Sequence, residues 1–215
     1  MKEDKLIELN RRGYNQISAD FKLSRLDFWP ELKYFKKFIE KDSSVLDIGC
    51  AHGRLIKLLN GLKIDYHGLD YSAELVKIAR KENPGLSFEI GDARALPYAS
   101  EKFDSVWMIA LLHHLNPKAC LKVVNEAKRV LRPSGKIIIT IWQPNKAWMK
   151  SWRRIGVNSF LNKWGGKSWL YYYCYRPWKI KSLVRKANLM ILEEGYLTRG
   201  KNKNYFIVAQ KAPIA

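Results

Sequence analysis

The sequence predicts an α/β fold, a doubly wound and mostly parallel sheet with helices on both faces, closed by an antiparallel hairpin. Three observations carry that expectation. Short apolar runs bounded by turn residues alternate with stretches of helical spacing between residues 45 and 142. The first run, 45–48, breaks into small residues at Gly49, Ala51 and Gly53 before Leu55, Ile56, Leu58 and Leu59 resume with helical spacing. The last two runs, 191–198 and 205–210, flank a break at 200–204 and read as a hairpin. Five alternating strands plus the hairpin make a seven-stranded sheet.

Taken in order, residues 4–40 read as helical in at least two pieces. Leu6, Ile7 and Leu9 form a weak stripe, a break falls near Arg12-Gly13, and Ile17, Phe21 and Leu23 continue it. Ser24-Arg25 and Phe28-Trp29-Pro30 punctuate the chain, and Pro30 suits the first turn of a new helix carrying Leu32, Phe35, Phe38 and Ile39. After strand one, residues 64–69 form a second strand ending at Asp70, and Ser72 caps a helix over 73–81 with Glu74 in its first turn. Asn83-Pro84-Gly85 stops that helix. Strand three covers 86–90, strand four 103–110, a helix starts at Pro117, and strand five spans 136–142. Residues 143–175, rich in Trp, Lys, Asn and Gly, read as an irregular insertion beside the site, followed by a helix near 177–187. The organisation expected is an N-terminal helical cap (1–42) that contributes to the site, then one domain (43–215) with the insertion inside it.

At 215 residues the chain is long enough for one domain with a sizeable core. Cys50, Cys120 and Cys174 are scattered, which fits neither a disulfide framework nor a metal site. The charged N-terminus and the lack of a long apolar run imply no signal peptide, no membrane span and a cytoplasmic setting. The net charge is +19, unevenly placed: residues 127–192 hold 15 Lys or Arg, no acid, and six of the eight tryptophans. Cations interleaved with aromatics are the expected footprint of nucleic-acid binding, charge for phosphates and rings for unstacked bases. An anionic membrane surface, an acidic small molecule and a solvated basic face are the alternatives.

A strand, a small-residue turn and a helix form the usual opening of a nucleotide site, because the backbone can approach a ligand and the helix start offers free N–H groups. The dinucleotide fingerprint needs a small residue where this chain has Arg54. The acid at Asp47 followed by small residues at 49, 51 and 53 instead resembles the first motif of class I S-adenosylmethionine (SAM)-dependent methyltransferases, with Ala51 in place of the middle glycine. Residues 131–136 are similar to that superfamily's turn into strand five, so the resemblance spans about 43–142 and implies a Rossmann-like fold with SAM as cofactor.

Ligands of such sheets bind outside the carboxyl ends of the strands. Gly49, Asp70, Asp92 and His113-His114 all fall at strand ends. Asp70, with Tyr71 beside it, suits the ribose hydroxyls; Asp92 suits the adenine amine, and the Ala93 N–H a ring nitrogen. Asp47 orders the turn or meets the methionine ammonium through water. Ile109, with residues 110–111, offers carbonyls to that ammonium. Cys50 reads as a small turn or core residue within the cofactor site.

A narrower resemblance lies outside the core. Residues 14–21 (Tyr-Asn-Gln-Ile-Ser-Ala-Asp-Phe), then Ser24-Arg25 and Trp29-Pro30, resemble the N-terminal signature of eukaryotic-type tRNA wobble-uridine methyltransferases. Residues 91–93, 96–98 and 109–115 are similar to that family too, and Tyr171-Tyr172, Tyr175 and Asn204-Tyr205 echo it more weakly. The resemblance implies methyl esterification of a 5-carboxymethyl group on the uridine at the anticodon's first position, the tRNA anticodon stem–loop as partner, and a small zinc-binding activator protein as a further one. One departure stands out: the family's Arg-Tyr-Tyr-His stretch reads Leu170-Tyr171-Tyr172-Tyr173 here.

A carboxylate acceptor, with a pKa near ~4, is ionised at neutral pH and needs orientation and desolvation, not a general base. Arg25 is the candidate to grip it, since a guanidinium holds a carboxylate with two hydrogen bonds. Trp29 is expected to wall the pocket or stack on the base, and one of His113 and His114 to contact the substrate. Lys150, Arg153, Arg154, Lys163 and Lys167 are candidates for phosphates, with Trp148, Trp152 and Trp169 for stacking or packing. The rival readings are a SAM methyltransferase of a small-molecule or lipid substrate and a non-catalytic RNA-binding protein on this fold.

Overall fold

Strand β1 (Ser44–Ile48) is buried along its whole length, as an apolar run at the centre of a covered sheet must be. In the computed structural model, which describes residues 2–25, 29–144, 146–199 and 202–213, it pairs in parallel with β2 (Asp65–Asp70) and β4 (Phe103–Ile109). β3 (Ser87–Ile90) extends the sheet beyond β2, and β5 (Leu131–Gln143) beyond β4. The hairpin strands β9 (Leu189–Arg199) and β10 (Asn202–Lys211) close it antiparallel to β5, giving a seven-stranded sheet in the order β3-β2-β1-β4-β5-β10-β9. Strand order reverses between β1 and β4, which opens a crevice at their carboxyl ends.

Both faces are covered. On one, α4 (Pro117–Val130) and α6 (Pro177–Lys186) bury Val123, Ile180 and Val184 against Ile137 and Ile207. On the other, Phe35, Leu58 and Val76 pack on Val45, Trp107 and Val208; they come from a 3-10 helix (Pro30–Phe38), α2 (Ile56–Leu59) and α3 (Ala73–Glu82). The caps follow the sequence: Ser72 Oγ accepts from the Leu75 N–H at the start of α3, and Asn116 Oδ1 from the Ala119 N–H at the start of α4.

Three expectations need correction. The break near Gly13 does not occur: α1 (Glu3–Leu23) is one continuous helix. Gly13 serves close packing, since a Cβ there would lie 2.6 Å from Leu170 Cδ2 and 3.1 Å from the Trp169 carbonyl oxygen. The segment after Pro30 is 3-10 helical, not α-helical. The insertion is not irregular. After the short helix α5 (Lys146–Met149), β6 (Arg153–Gly156), β7 (Ser159–Trp164) and β8 (Ser168–Tyr173) form a separate antiparallel sheet. Its turns carry the signal that the alternation obscured: Asn158 (φ 56°), Gly165 (φ 54°) and Gly166 (φ 70°) are all left-handed. Phe28 and the Trp148 side chain lie outside the described residues.

Candidate cofactor and acceptor site

The carboxyl ends of the central strands and the inner face of α1 enclose a cavity of ≈ 170 Å³. Its floor is the turn after β1. Gly49 (φ 77°), Ala51 (φ 51°) and Gly53 (φ 81°) are left-handed in alternation, and the tight turn is held by its own N–H groups: those of Gly49 and Cys50 bond the Leu69 carbonyl and that of Gly53 the Cys50 carbonyl. A Cβ on Gly49 would press on Leu111 at 3.0 Å, and one on Gly53 on Asn83 Nδ2 at 2.9 Å. Both positions therefore need glycine.

Asp70 fastens this turn. Its Oδ2 accepts the Ala51 N–H (2.9 Å) and its Oδ1 the Ser72 N–H (2.8 Å). Burial pushes its pKa up, opposed by backbone N–H groups of Ser72, Ala51 and Tyr71. It lines the cavity with Tyr71, and each oxygen keeps a lone pair for a ligand hydroxyl. Asp47 is buried below the turn and accepts the Tyr66 hydroxyl at 2.9 Å. Burial pushes its carboxyl up to about 7; Tyr66 and Arg54 oppose the shift and Asp70 adds to it. Cys50 also lines the cavity, with its thiol pushed up by burial and therefore protonated.

Asp92, at the end of β3, is bidentate with Arg94 (3.0 and 2.7 Å to Oδ2 and 3.2 Å to Oδ1 from its guanidinium). Arg94 reaches on to Glu3 and Asp4, fixing the start of α1 over this strand end. Asp92, Ala93 and Ile109 all line the cavity, as does Ala110, a second left-handed alanine (φ 56°) held by hydrogen bonds from its N–H to Thr140 O and Oγ1.

The two histidines part company. His114 lines the cavity; its Nδ1 lies 2.9 Å from the Tyr171 carbonyl oxygen and its Nε2 2.8 Å from the Tyr14 hydroxyl. A carbonyl accepts only, so Nδ1 carries the proton, and Tyr14 donates to Nε2. Burial pushes its pKa down to about 4, keeping it neutral. His113 is turned away from the cavity, stacked on Tyr172 (5.7 Å, 8°), and is also driven toward the neutral form by burial.

Arg25 closes α1. Its guanidinium bonds the Ser24 carbonyl and lies over Phe21 at 5.6 Å, and no carboxylate pairs with it among the described residues. Trp29 does not line the cavity; it packs on the core behind the turn, with the Arg54 guanidinium 4.4 Å from its ring centroid. Lys150, Arg153, Arg154 and Lys163 are exposed around the small sheet. Lys167 is ion-paired with Asp20 of α1, and Trp152 is interior.

The sequence reading missed three residues. Asn10 joins three elements: its Nδ2 donates to the carbonyls of His114 (3.3 Å) and Tyr171 (3.2 Å), and its Oδ1 accepts the Tyr171 N–H (2.7 Å). Asn15 Oδ1 accepts from Ser72 Oγ at 2.7 Å, tying α1 to the end of β2. His52 lines the cavity with Nδ1 buried and without a partner. Spacing was the available signal for the first two, since Asn10, Tyr14 and Asn15 fall within two turns of one helix.

A tight left-handed turn against the cavity, acids at the ends of β2 and β3 and an orphaned imidazole nitrogen fit a nucleoside carrying an amino-acid tail, which is what SAM is. Comparison with known proteins agrees. Residues 46–139 match the family model of a methyltransferase domain. A tRNA (carboxymethyluridine(34)-5-O)-methyltransferase of Arabidopsis thaliana is 30% identical over 159 residues, 72% of this chain and 38% of that protein. The Schizosaccharomyces pombe protein of the same name is 27% identical over 223 residues, 92% of this chain and 94% of that one. This chain thus spans well under half of the plant relative and nearly all of the yeast one. Among solved structures, a SAM-dependent methyltransferase of Methanosarcina mazei superposes with a TM-score of 0.75 (22% identity, 87% of this chain and 100% of that one). The methyltransferase in the Haloferax volcanii complex with the Trm112 activator superposes with 0.74 (18% identity, 96% and 98%); at these identities both show the fold. Sheet order, left-handed turn and domain match converge on one assignment: residues 46–139 are a methyltransferase domain, set in the fold of the SAM-dependent methyltransferases.

Proposed function

We propose that this methyltransferase esterifies the carboxylate of a 5-carboxymethyl group on the wobble uridine of tRNA. The observation that supports this most directly is the pairing at the α1 side of the cavity. Arg25, a guanidinium with no carboxylate partner among the described residues, acts on Tyr14, whose hydroxyl meets a histidine with both ring nitrogens engaged; Arg25 itself does not line the cavity. Arg25 acts electrostatically on Tyr14 and Tyr172, opposing the rise that burial imposes on both phenols, which puts its charge at the seam of α1 and β8. His114, neutral and hydrogen-bonded on both sides, is a wall and not a base. Such a site suits an acceptor that is already ionised, as a carboxylate is near pH 7.

When bound, SAM supplies an electrophilic methyl group on a sulfonium. The chain's part is positioning. Asp70 and Asp92 would hold the nucleoside, the turn 49–53 and the 109–111 backbone the amino-acid tail, and Tyr14, Phe21 and Leu115 exclude water from the cavity. Arg25 orients the acceptor carboxylate through paired hydrogen bonds. The Arg and His of the resembling family are replaced by Leu170, which packs on Gly13, and Tyr173, whose ring lies tilted against Tyr175 with centroids 4.5 Å apart. Recognition of the acceptor in this chain therefore falls to α1. The names of the plant and yeast relatives support the tRNA substrate, and the archaeal complex supports a small activator partner. Exposed Ile90 at one edge of the principal sheet and Met190 and Tyr196 at the other are apolar surfaces for such a partner to cover.

The test is transfer of label from radiolabelled SAM to tRNA carrying 5-carboxymethyluridine, read by nucleoside mass spectrometry and mild alkali. The expected product is a base-labile methyl ester on uridine. Label in a base-stable position refutes the ester, and label entering only small acidic or lipid acceptors refutes the tRNA reading.

A further inference from the structure

The small sheet has two unlike faces. Its register sets Ser168 beside Trp164, Leu170 beside Asn162 and Tyr172 beside Phe160. That face packs inward: Leu170 and Tyr172 are buried with Ile17 and Trp152, and Phe160 and Trp164 lie against them. Directly opposed residues of an antiparallel pair share a face. The other face therefore carries Arg153, Leu161 and Tyr171 in one row and Lys163 with Trp169 in the next. Tyr171 is closed over, and Tyr173 packs on the principal core. What stays open is Trp169, 39% exposed, with exposed Lys163 and Arg153 and half-buried Leu161.

Charge distinguishes this patch from an ordinary solvated face. Lys167, at the neighbouring turn, is neutralised by Asp20. Lys163 and Arg153 have no ion-pair partner among the described residues, and no acid occurs in the sequence between 127 and 192. A large indole held at the surface beside one uncompensated cation, with a second on the far strand, matches the requirements of an unpaired nucleotide strand, a ring for the base and positive charge for the phosphates.

We propose that this outer face is a docking platform for single-stranded RNA, in which Trp169 stacks on an unpaired base and Lys163 and Arg153 hold flanking phosphates. The proposal rests on the tRNA reading above and deepens it by separating the basic and aromatic residues of the insertion. Trp169, Lys163 and Arg153 meet RNA; Trp152 and Lys167 hold the sheet to α1. The platform is also coupled to the cavity, because the Tyr171 backbone on the same strand holds both Asn10 and the His114 ring.

The experiment measures binding of the full chain to a fluorescein-labelled anticodon stem–loop RNA by anisotropy across a salt series, with SAM binding by calorimetry as a control on the fold. Trp169→Ala is expected to weaken RNA binding roughly tenfold, with the salt dependence kept and SAM binding unchanged. Trp169→Phe is expected to restore most of that loss. The double variant Lys163→Ala, Arg153→Ala is expected to lower the slope of log affinity against log salt by about one unit or slightly more. Wild-type RNA binding that all of these variants retain, with an unchanged salt slope, overturns the platform and leaves the tRNA reading standing. Absence of RNA binding by the wild-type chain overturns both. Binding to phosphatidylserine vesicles that exceeds RNA binding and depends on Trp169 overturns the platform in favour of a membrane surface.

Discussion

Ala51 adopts φ 51° between glycines at 77° and 81°. An L-residue pays ~1–2 kcal/mol for this conformation, and glycine's extra freedom in the unfolded chain offsets part of any relief. Ala51→Gly is expected to raise stability by about 0.5–1 kcal/mol in denaturant titration, with SAM affinity equal or better. Asp47 makes a second prediction. Its folded-state pKa of about 7 lies above the ordinary carboxylate value, so its contribution is complete at low pH and is lost as pH rises through 7. Asp47→Asn removes that loss while leaving Tyr66 an acceptor. The difference in melting temperature between variant and wild type is expected to move in the variant's favour from pH 6 to pH 8.5, and a constant difference would contradict the assignment. His113 and His114 act with the opposite sign. Their folded pKa values are depressed, so stability falls as pH drops from about 6.5 toward 4, where the unfolded chain takes up the protons. Asp70 and Asp92 were legible because each ends an apolar run. Asn10 was not, because an asparagine inside a helix has no sequence mark to tell a buried three-way clamp from a solvated side chain.

At the scale of elements, the seam between α1 and β8 decides whether the cavity has a roof. Gly13 permits the approach, and Asn10 satisfies backbone groups on two other segments. Asn10→Ala removes three buried hydrogen bonds and orphans the Tyr171 N–H. A loss of about 2–4 kcal/mol in thermal or chemical denaturation is expected, with binding of SAM weakened as the roof loosens. Gly13→Ala gains up to ~1 kcal/mol of helix propensity and meets Leu170 and the Trp169 carbonyl; overpacking of ~1–3 kcal/mol outweighs the gain, so a lower melting temperature is expected. The alternating strands and helices were legible because a parallel sheet covered on both faces demands apolar runs of strand length. The continuity of α1 was hidden because glycine is a helix breaker by propensity and a packing residue by context. The small sheet was hidden because its inward face is built from aromatics that the sequence shares with its outward face.

Across the whole molecule, charge and cavity are divided between different parts of the chain. Residues 127–192 carry 15 basic residues and no acid, whereas the acids that line the cavity, Asp47, Asp70 and Asp92, all precede them. On the proposed function, cofactor and acceptor fall to separate groups, Asp70 on β2 for the first and Arg25 at the end of α1 for the second. Calorimetric titration of SAM into the wild-type protein, Asp70→Ala and Arg25→Ala, paired with methyl transfer to tRNA carrying 5-carboxymethyluridine, tests that division most directly. Asp70→Ala, still melting cooperatively, is expected to lose SAM binding, and Arg25→Ala to bind SAM as the wild type does while turnover falls by at least about tenfold, equivalent to one lost charged hydrogen-bond pair. Undiminished SAM binding by Asp70→Ala, or equal loss of binding and turnover in Arg25→Ala, would contradict that division.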